Sequence, residues 1–342
     1  SMMAQRYFPG SNTCRGFVGF FQDLLPRTEQ ARILLIKGGP GCGKSTLMRA
    51  AAERWEAQGR PVEYYLCASD PDSLDAVVCG DTVVLDATLP HALEPELTRV
   101  TEQVIDLSEC LDEAQLRPHR AQAQQLSLEC RRYFARAHRY LAGAEAALRD
   151  SMAIYADAVD QGALCNLRME LARFLQGESG HGQRLFAQAI TPQGVLQFAD
   201  SLLREQTVCL DLPFGFDTDC LIYPLAVGLY ARGVGYRAAM HPLEGKRMAH
   251  LCTDHCAVVG FVSEGYPVRT LPFDQALLSR HRSALDFNRA AHDLLLRQAA
   301  DSLQEAKARH DQLERLYGDA VHSDARQALC EQAMKYLEEA QQ

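Results

Sequence analysis

Across 342 residues, 44 acidic side chains outnumber 35 basic ones and leave a net charge of −9. A surface of that sign repels phosphate backbones and argues against sequence-independent nucleic-acid binding; the longest basic cluster, Arg131 with Arg132, falls in a helical pattern and reads as a solvated face. No apolar run approaches the roughly 20 residues that span a bilayer. No basic-then-apolar leader opens the chain, and the 12 cysteines then suit free thiols in a reducing cytoplasm.

The first strong element is "ARILLIKGG", a short buried strand that closes on Gly38. A helical pattern follows from Lys44 to Gln58 and stops at Gly59. Between them stand Gly38, Gly39, Pro40, Gly41, Cys42, Gly43, Lys44 and Ser45, then Thr46. This is G-x-x-x-x-G-K-[ST] with a strand before it and a helix after it, the setting a phosphate-binding loop requires. Phosphate oxygens need several backbone N–H donors converging on one point. Glycines permit the left-handed angles and close approach that this demands. The new helix adds free N–H groups and its positive dipole end. Lys44 would act on the β- and γ-phosphates, and Ser45 would offer a hydroxyl to Mg²⁺.

A second strand, "VEYYL", leads into "CASDPDSLDAVV". Asp70 and Asp75 there fall near the expected ligand end, where Asp70 is a candidate base; the alternative is helix capping by Ser69 or Asp70. The next strand, "DTVVLDAT", ends on Asp86, placed to hold Mg²⁺ opposite Ser45. Ala87 follows it, where many motor-like ATPases carry a water-activating glutamate, so slow hydrolysis is expected. Thr88 and His91 lie just beyond, and His91 is a candidate γ-phosphate sensor or base.

The chain then repeats itself. An offset of 174 pairs Gly38 with Leu212, Leu47 with Leu221, Gly59 with Gly233 and Leu74 with Met248. Upstream, an offset of 178 pairs Phe8, Thr13, Gly16 and Phe20 with Phe186, Thr191, Gly194 and Phe198. Downstream, Phe134, Ala137, Leu141, Ala144, Leu148, Tyr155 and Ala158 recur 162 residues later, with the three-four spacing of a long amphipathic helix. Each half therefore reads as an α/β core followed by a helical hairpin, with residues 7–180 and 184–342 as the domains and "QGESGHGQ" between them. The apolar seams favour packing over a free partner-binding arm, the alternative use of the hairpins.

In the second half the loop has lost its chemistry. Asp217, Thr218 and Asp219 replace Gly43, Lys44 and Ser45; Leu212, Pro213 and Phe214 fill the cradle; Gly260 replaces Asp86. A nucleotide-free copy is expected, retained to complete a pseudo-dimer or to supply a cation to the live site, with Lys246 and Arg247 as candidates. Nearby, His250, Cys252, His255 and Cys256 are metal-ligand types, but their spacing fits no common zinc pattern, and Cys256 leads into an apolar strand.

Taken in order, "FPGSNTCRGF", "IKGGPGCGKSTLM", "CASDPDSLDAVV", "LDATLPHALEP" and "LFAQAITPQG" resemble a family of bacterial tandem P-loop ATPases. The resemblance covers nearly the whole chain and implies ATP at residues 38–46. Family members carry a lysine loop in the second half too; Thr218 and Asp219 depart from that pattern. The expected fold is α/β, a tandem duplication of a P-loop NTPase-type parallel sheet, each half with an appended helical hairpin. The expected function is Mg²⁺–ATP binding at one site with slow hydrolysis that moves the halves. A kinase using Asp70 or His91 as base and a non-hydrolysing switch are the alternatives.

Overall fold

A computed structural model of the chain describes residues 4–88 and 101–339. The first half comprises β1 (Gln5–Tyr7), β2 (Gly10–Thr13), β3 (Gly16–Gly19), β4 (Arg32–Lys37), α1 (Lys44–Ala57), β5 (Glu63–Cys67), β6 (Asp70–Cys79), β7 (Thr82–Asp86), β8 (Glu102–Asp106), α2 (Glu113–Leu116), α3 (Arg120–Ala158) and α4 (Gln161–Phe174). The second comprises β9 (Gly182–Leu185), β10 (Gln188–Thr191), β11 (Gly194–Gln197), β12 (Gln206–Leu210), α5 (Asp219–Ala231), β13 (Tyr236–Met240), β14 (Met248–Cys252), β15 (Cys256–Val259), β16 (Val268–Arg269), α6 (Gln275–Arg280), α7 (Arg282–Asp319) and α8 (Ser323–Glu339). No helix among the described residues is long and apolar enough to cross a membrane.

The two six-stranded sheets have the same order, β1-β5-β6-β7-β4-β8 and β9-β13-β14-β15-β12-β16. Duplication is also written in the hydrogen bonds. Thr13 Oγ1 donates to the Gly16 carbonyl at 2.7 Å, and Thr191 Oγ1 donates to the Gly194 carbonyl at 2.7 Å. The long helices α3 and α7 begin 162 residues apart, the offset of their apolar seams.

Both sheets are mixed, which corrects the expectation of parallel sheets. β6 runs antiparallel to β5 and to β7, as β14 does to β13 and β15. The reason is chain length. Only Ala68 and Ser69 separate β5 from β6, and a parallel partner needs a crossover of a dozen residues or more. "CASDPDSLDAVV" is thus a strand, and the helix that Ser69 or Asp70 would cap does not form.

Two compact units emerge, and they do not follow the repeat boundary. One contains Ser1–Gly10, Gly19–Arg136 and Asp301–Gln342; the other contains Ser11–Val18 and Ala137–Ala300. In the first unit, β4 is buried at Ile33 to Ile36, and α1 packs Leu47, Met48, Ala51, Ala52 and Trp55 on the sheet. Ala333 and Leu337 of α8 complete this core, from the far end of the chain. In the second unit α4 lies on α5, where Arg168 donates to the Cys220 carbonyl at 3.0 Å. The hairpin seams are buried, with Ala137, Leu141 and Ala144 inaccessible in the second unit and Leu303 and Ala306 nearly so in the first.

Candidate functional site

The first unit carries the site, at the C-terminal edge of β4 and β7. Parallel pairing sets Ile36 opposite Asp86, so the strand before the glycine-rich loop and the carboxylate end at one level. Gly38, Gly41 and Gly43 have φ of 152°, 73° and 99°. The last two lie in the left-handed region, which a residue with a Cβ enters only with strain. The α1 N-terminus that follows has no side-chain cap and no acidic residue in its first turn. Its free N–H groups and positive dipole end are left without an internal anion.

Lys44 folds back across the loop. Its Nζ donates to the Gly38 carbonyl at 2.7 Å and to Thr88 Oγ1 at 3.2 Å, and stands 3.6 Å from Asp86 Oδ2. Thr88 ties the end of β7 to the loop, since its hydroxyl donates to the Gly38 carbonyl and its N–H to Asp86 Oδ1. Burial pushes the Asp86 carboxyl above its ordinary range, with Lys44 pulling the other way. Ser45 Oγ accepts from the Leu74 N–H at 3.0 Å, which leaves the hydroxyl a lone pair and its proton for further contacts.

Asp70 opens β6 in a different neighbourhood. Its carboxylate groups with those of Asp311 and Glu314 from α7, beside Lys307, whose Nζ is 2.9 Å from Asp311 and 3.8 Å from Asp70. Burial raises the Asp70 carboxyl and Lys307 opposes that. His91 lies outside the described residues.

Sequence reading missed what α7 and α8 bring to this loop. A Cβ on Gly39 would lie 3.3 Å from the Tyr317 ring, one on Gly41 would collide with the Glu314 carbonyl, and one on Gly43 would lie 3.2 Å from Arg326 Cδ. A signal for part of this existed in the repeat. Tyr155 matches Tyr317, and in the second unit its ring lies 3.4 Å from a Cβ on Gly215, the counterpart of Gly41.

The second unit keeps the frame and replaces the chemistry. Asp219 Oδ1 accepts the Met248 N–H at 2.7 Å, where Ser45 accepts that of Leu74. Asp217 accepts the Asp219 N–H, so α5 carries its own anion. Arg247, a candidate for the live loop, is 2.7 Å from Glu244 and 3.2 Å from Asp217 within its own unit. Phe214 stacks under Arg289 at 4.8 Å and against His292 at 5.0 Å. Lys246 is exposed.

His250, Cys252, His255 and Cys256 do not converge. His250 Nδ1 accepts the Gly260 N–H in the buried core, Cys256 Sγ donates to the Phe174 carbonyl, Cys252 is buried beside Arg204, and His255 is exposed near Asp254.

Comparison with known families finds a match between residues 12–181 and the model described as Nephrocystin 3, N-terminal. The match ends in the link between α4 and β9. Searches of curated proteins and of solved structures give no match.

Proposed function

We propose that the first unit binds one magnesium–nucleoside triphosphate, with ATP as the expected nucleotide, and hydrolyses it slowly. One observation carries this reading. An uncapped α1 N-terminus, a loop with left-handed Gly41 and Gly43, and the Lys44 ammonium lie together, and among the described residues the carboxylate ion-paired with Lys44 is Asp86 at 3.6 Å, with Glu314 within electrostatic reach. Such a concentration of positive potential is stabilised by an external polyanion.

Backbone N–H groups from Gly41 to Thr46 would cradle the phosphates, and Lys44 would release Thr88 to reach them. Ser45 and Asp86 are the donors that fit a magnesium ion: one free lone pair on a hydroxyl and one buried carboxylate. When bound, the ion neutralises phosphate charge. Ala87 offers no base to water, which supports slow turnover. Lys44 orients the terminal phosphate and Thr88 fixes Asp86.

A second reading, phosphoryl transfer to an acceptor hydroxyl, rests on Asp70. Its Oδ1 is buried and accepts no hydrogen bond among the described residues, so it is available to take a proton. Phosphate release from Mg²⁺–ATP without an acceptor supports hydrolysis. ADP formed only with added nucleosides or vitamins supports transfer. Tight binding with neither supports a switch, and no binding to any nucleoside triphosphate overturns the proposal.

A further inference from the structure

Resting on that reading, we infer that Arg326 of α8 is a phosphate contact of the first loop, and that the nucleoside lies in the groove between α1 and α8. The groove encloses about 510 Å³, within the range of small-ligand sites. Gly43, Thr46 and Arg326 line its phosphate end, with Leu47, Cys330 and Met334 beyond them. Arg54 and Glu338, which form an ion pair, also line it.

Arg326 Nη1 lies 3.5 Å from the place of a Cβ on Gly43, at the positive end of α1. Among the described residues, no carboxylate or carbonyl pairs with its guanidinium. A cation set beside free N–H donors, with a lysine in the same loop, is repelled by all of them. An anion between them reverses the sign of each interaction.

The repeat supplies a control. By the offset of 162, the first hairpin carries Leu164 where the second carries Arg326, and Leu164 is buried. The second unit, where that hairpin packs, has Asp217 and Asp219 at its helix start and no loop lysine. At this matched position an arginine accompanies the loop that retains Lys44 and a buried leucine the loop that lost it; the hairpin arginine of the second unit, Arg168, is already bonded to the Cys220 carbonyl, whereas the Arg326 guanidinium is not so engaged among the described residues. Gly43 and Thr46 belong to the part of the loop that holds the α- and β-phosphates, which assigns Arg326 to those phosphates.

The test is calorimetry on the full chain with Mg²⁺–ATP, Mg²⁺–ADP and adenosine. Arg326→Gln is expected to weaken ATP and ADP alike, by about tenfold each, and to leave adenosine unchanged. Arg326→Lys should recover part of the loss. Thermal unfolding without nucleotide should be the same in Arg326→Gln as in the parent chain. Unchanged ATP and ADP affinities in Arg326→Gln overturn this inference and leave the nucleotide site standing. So does a loss that follows the apo melting temperature. A parent chain that takes up no nucleotide ends both.

Discussion

The carbonyl oxygen of Glu314 occupies the space that a Cβ on Gly41 would need, although 273 residues of chain separate them. Gly59 is the matched control, with φ of 74° against 73° but open space around it. Gly59→Ala should cost about 1 kcal/mol, the strain of a left-handed alanine alone. Gly41→Ala should cost at least about 1 kcal/mol more, because α7 must also shift. Urea unfolding of both variants measures the difference, and equal losses would mean that α7 does not rest on the loop.

Removal of the Lys44 ammonium should eliminate the preference for triphosphate. Lys44→Ala is expected to bind ATP no better than ADP and at least tenfold more weakly than the parent. Thr218→Lys should not create a second site, since Asp217 already holds the α5 N-terminus and Arg247, and Phe214 is stacked under Arg289. Equilibrium dialysis counts the sites: two nucleotides per chain in Thr218→Lys would contradict this.

The first core is completed by the last helix. Leu337 is 3% exposed within the cluster that contains Ile36, Trp55 and Val84. Leu337→Ala should destabilise the first unit by about 2–4 kcal/mol. A fragment ending at residue 180 lacks Ala333 and Leu337 and should not reach a cooperative fold. A sharp thermal transition for that fragment, followed by circular dichroism, would show that α8 is dispensable.

His250 makes the second unit acid-sensitive. Burial lowers its pKa to about 4 from 6.5, and its Nδ1 must stay unprotonated to accept from Gly260. The unfolded chain thus binds the proton first. Stability from this residue is full above pH 6.5 and is lost as pH falls from there towards 4, to a total of about 3 kcal/mol. His250→Gln should reduce the dependence of urea midpoint on pH across that window, the remainder coming from His241, whose pKa desolvation lowers to about 3. An identical slope in the two proteins would place the sensitivity elsewhere.

The strand, loop and first helix could be read from a few dozen neighbouring residues, because each depends on local requirements. Four consecutive apolar residues make β4, glycines permit left-handed turns, and Leu47, Met48, Ala51 and Trp55 follow the helical period. The direction of β6 was also encoded, in the two-residue link after Cys67, but Asp70 and Ser69 resemble a helix cap and hid it. The place of Asp86 at the end of a buried strand was legible, and it was expected to serve magnesium opposite Ser45; its ion pair with Lys44 and the role of Thr88 in holding both were not.

By itself the sequence determined that this protein is a duplicated α/β chain with one intact glycine-lysine loop and one filled with carboxylates and bulk, because those features depend on residue type at short spacing and on constant offsets. Only the tertiary structure decided which helices cover which loop. Arg326, Tyr317 and Glu314 reach the first loop from the second repeat, while Tyr155 reaches the loop of the second. An apolar seam records that a helix must be buried. It does not record against which of two similar cores, since Leu164 and Leu337 satisfy either by the same dispersion and desolvation.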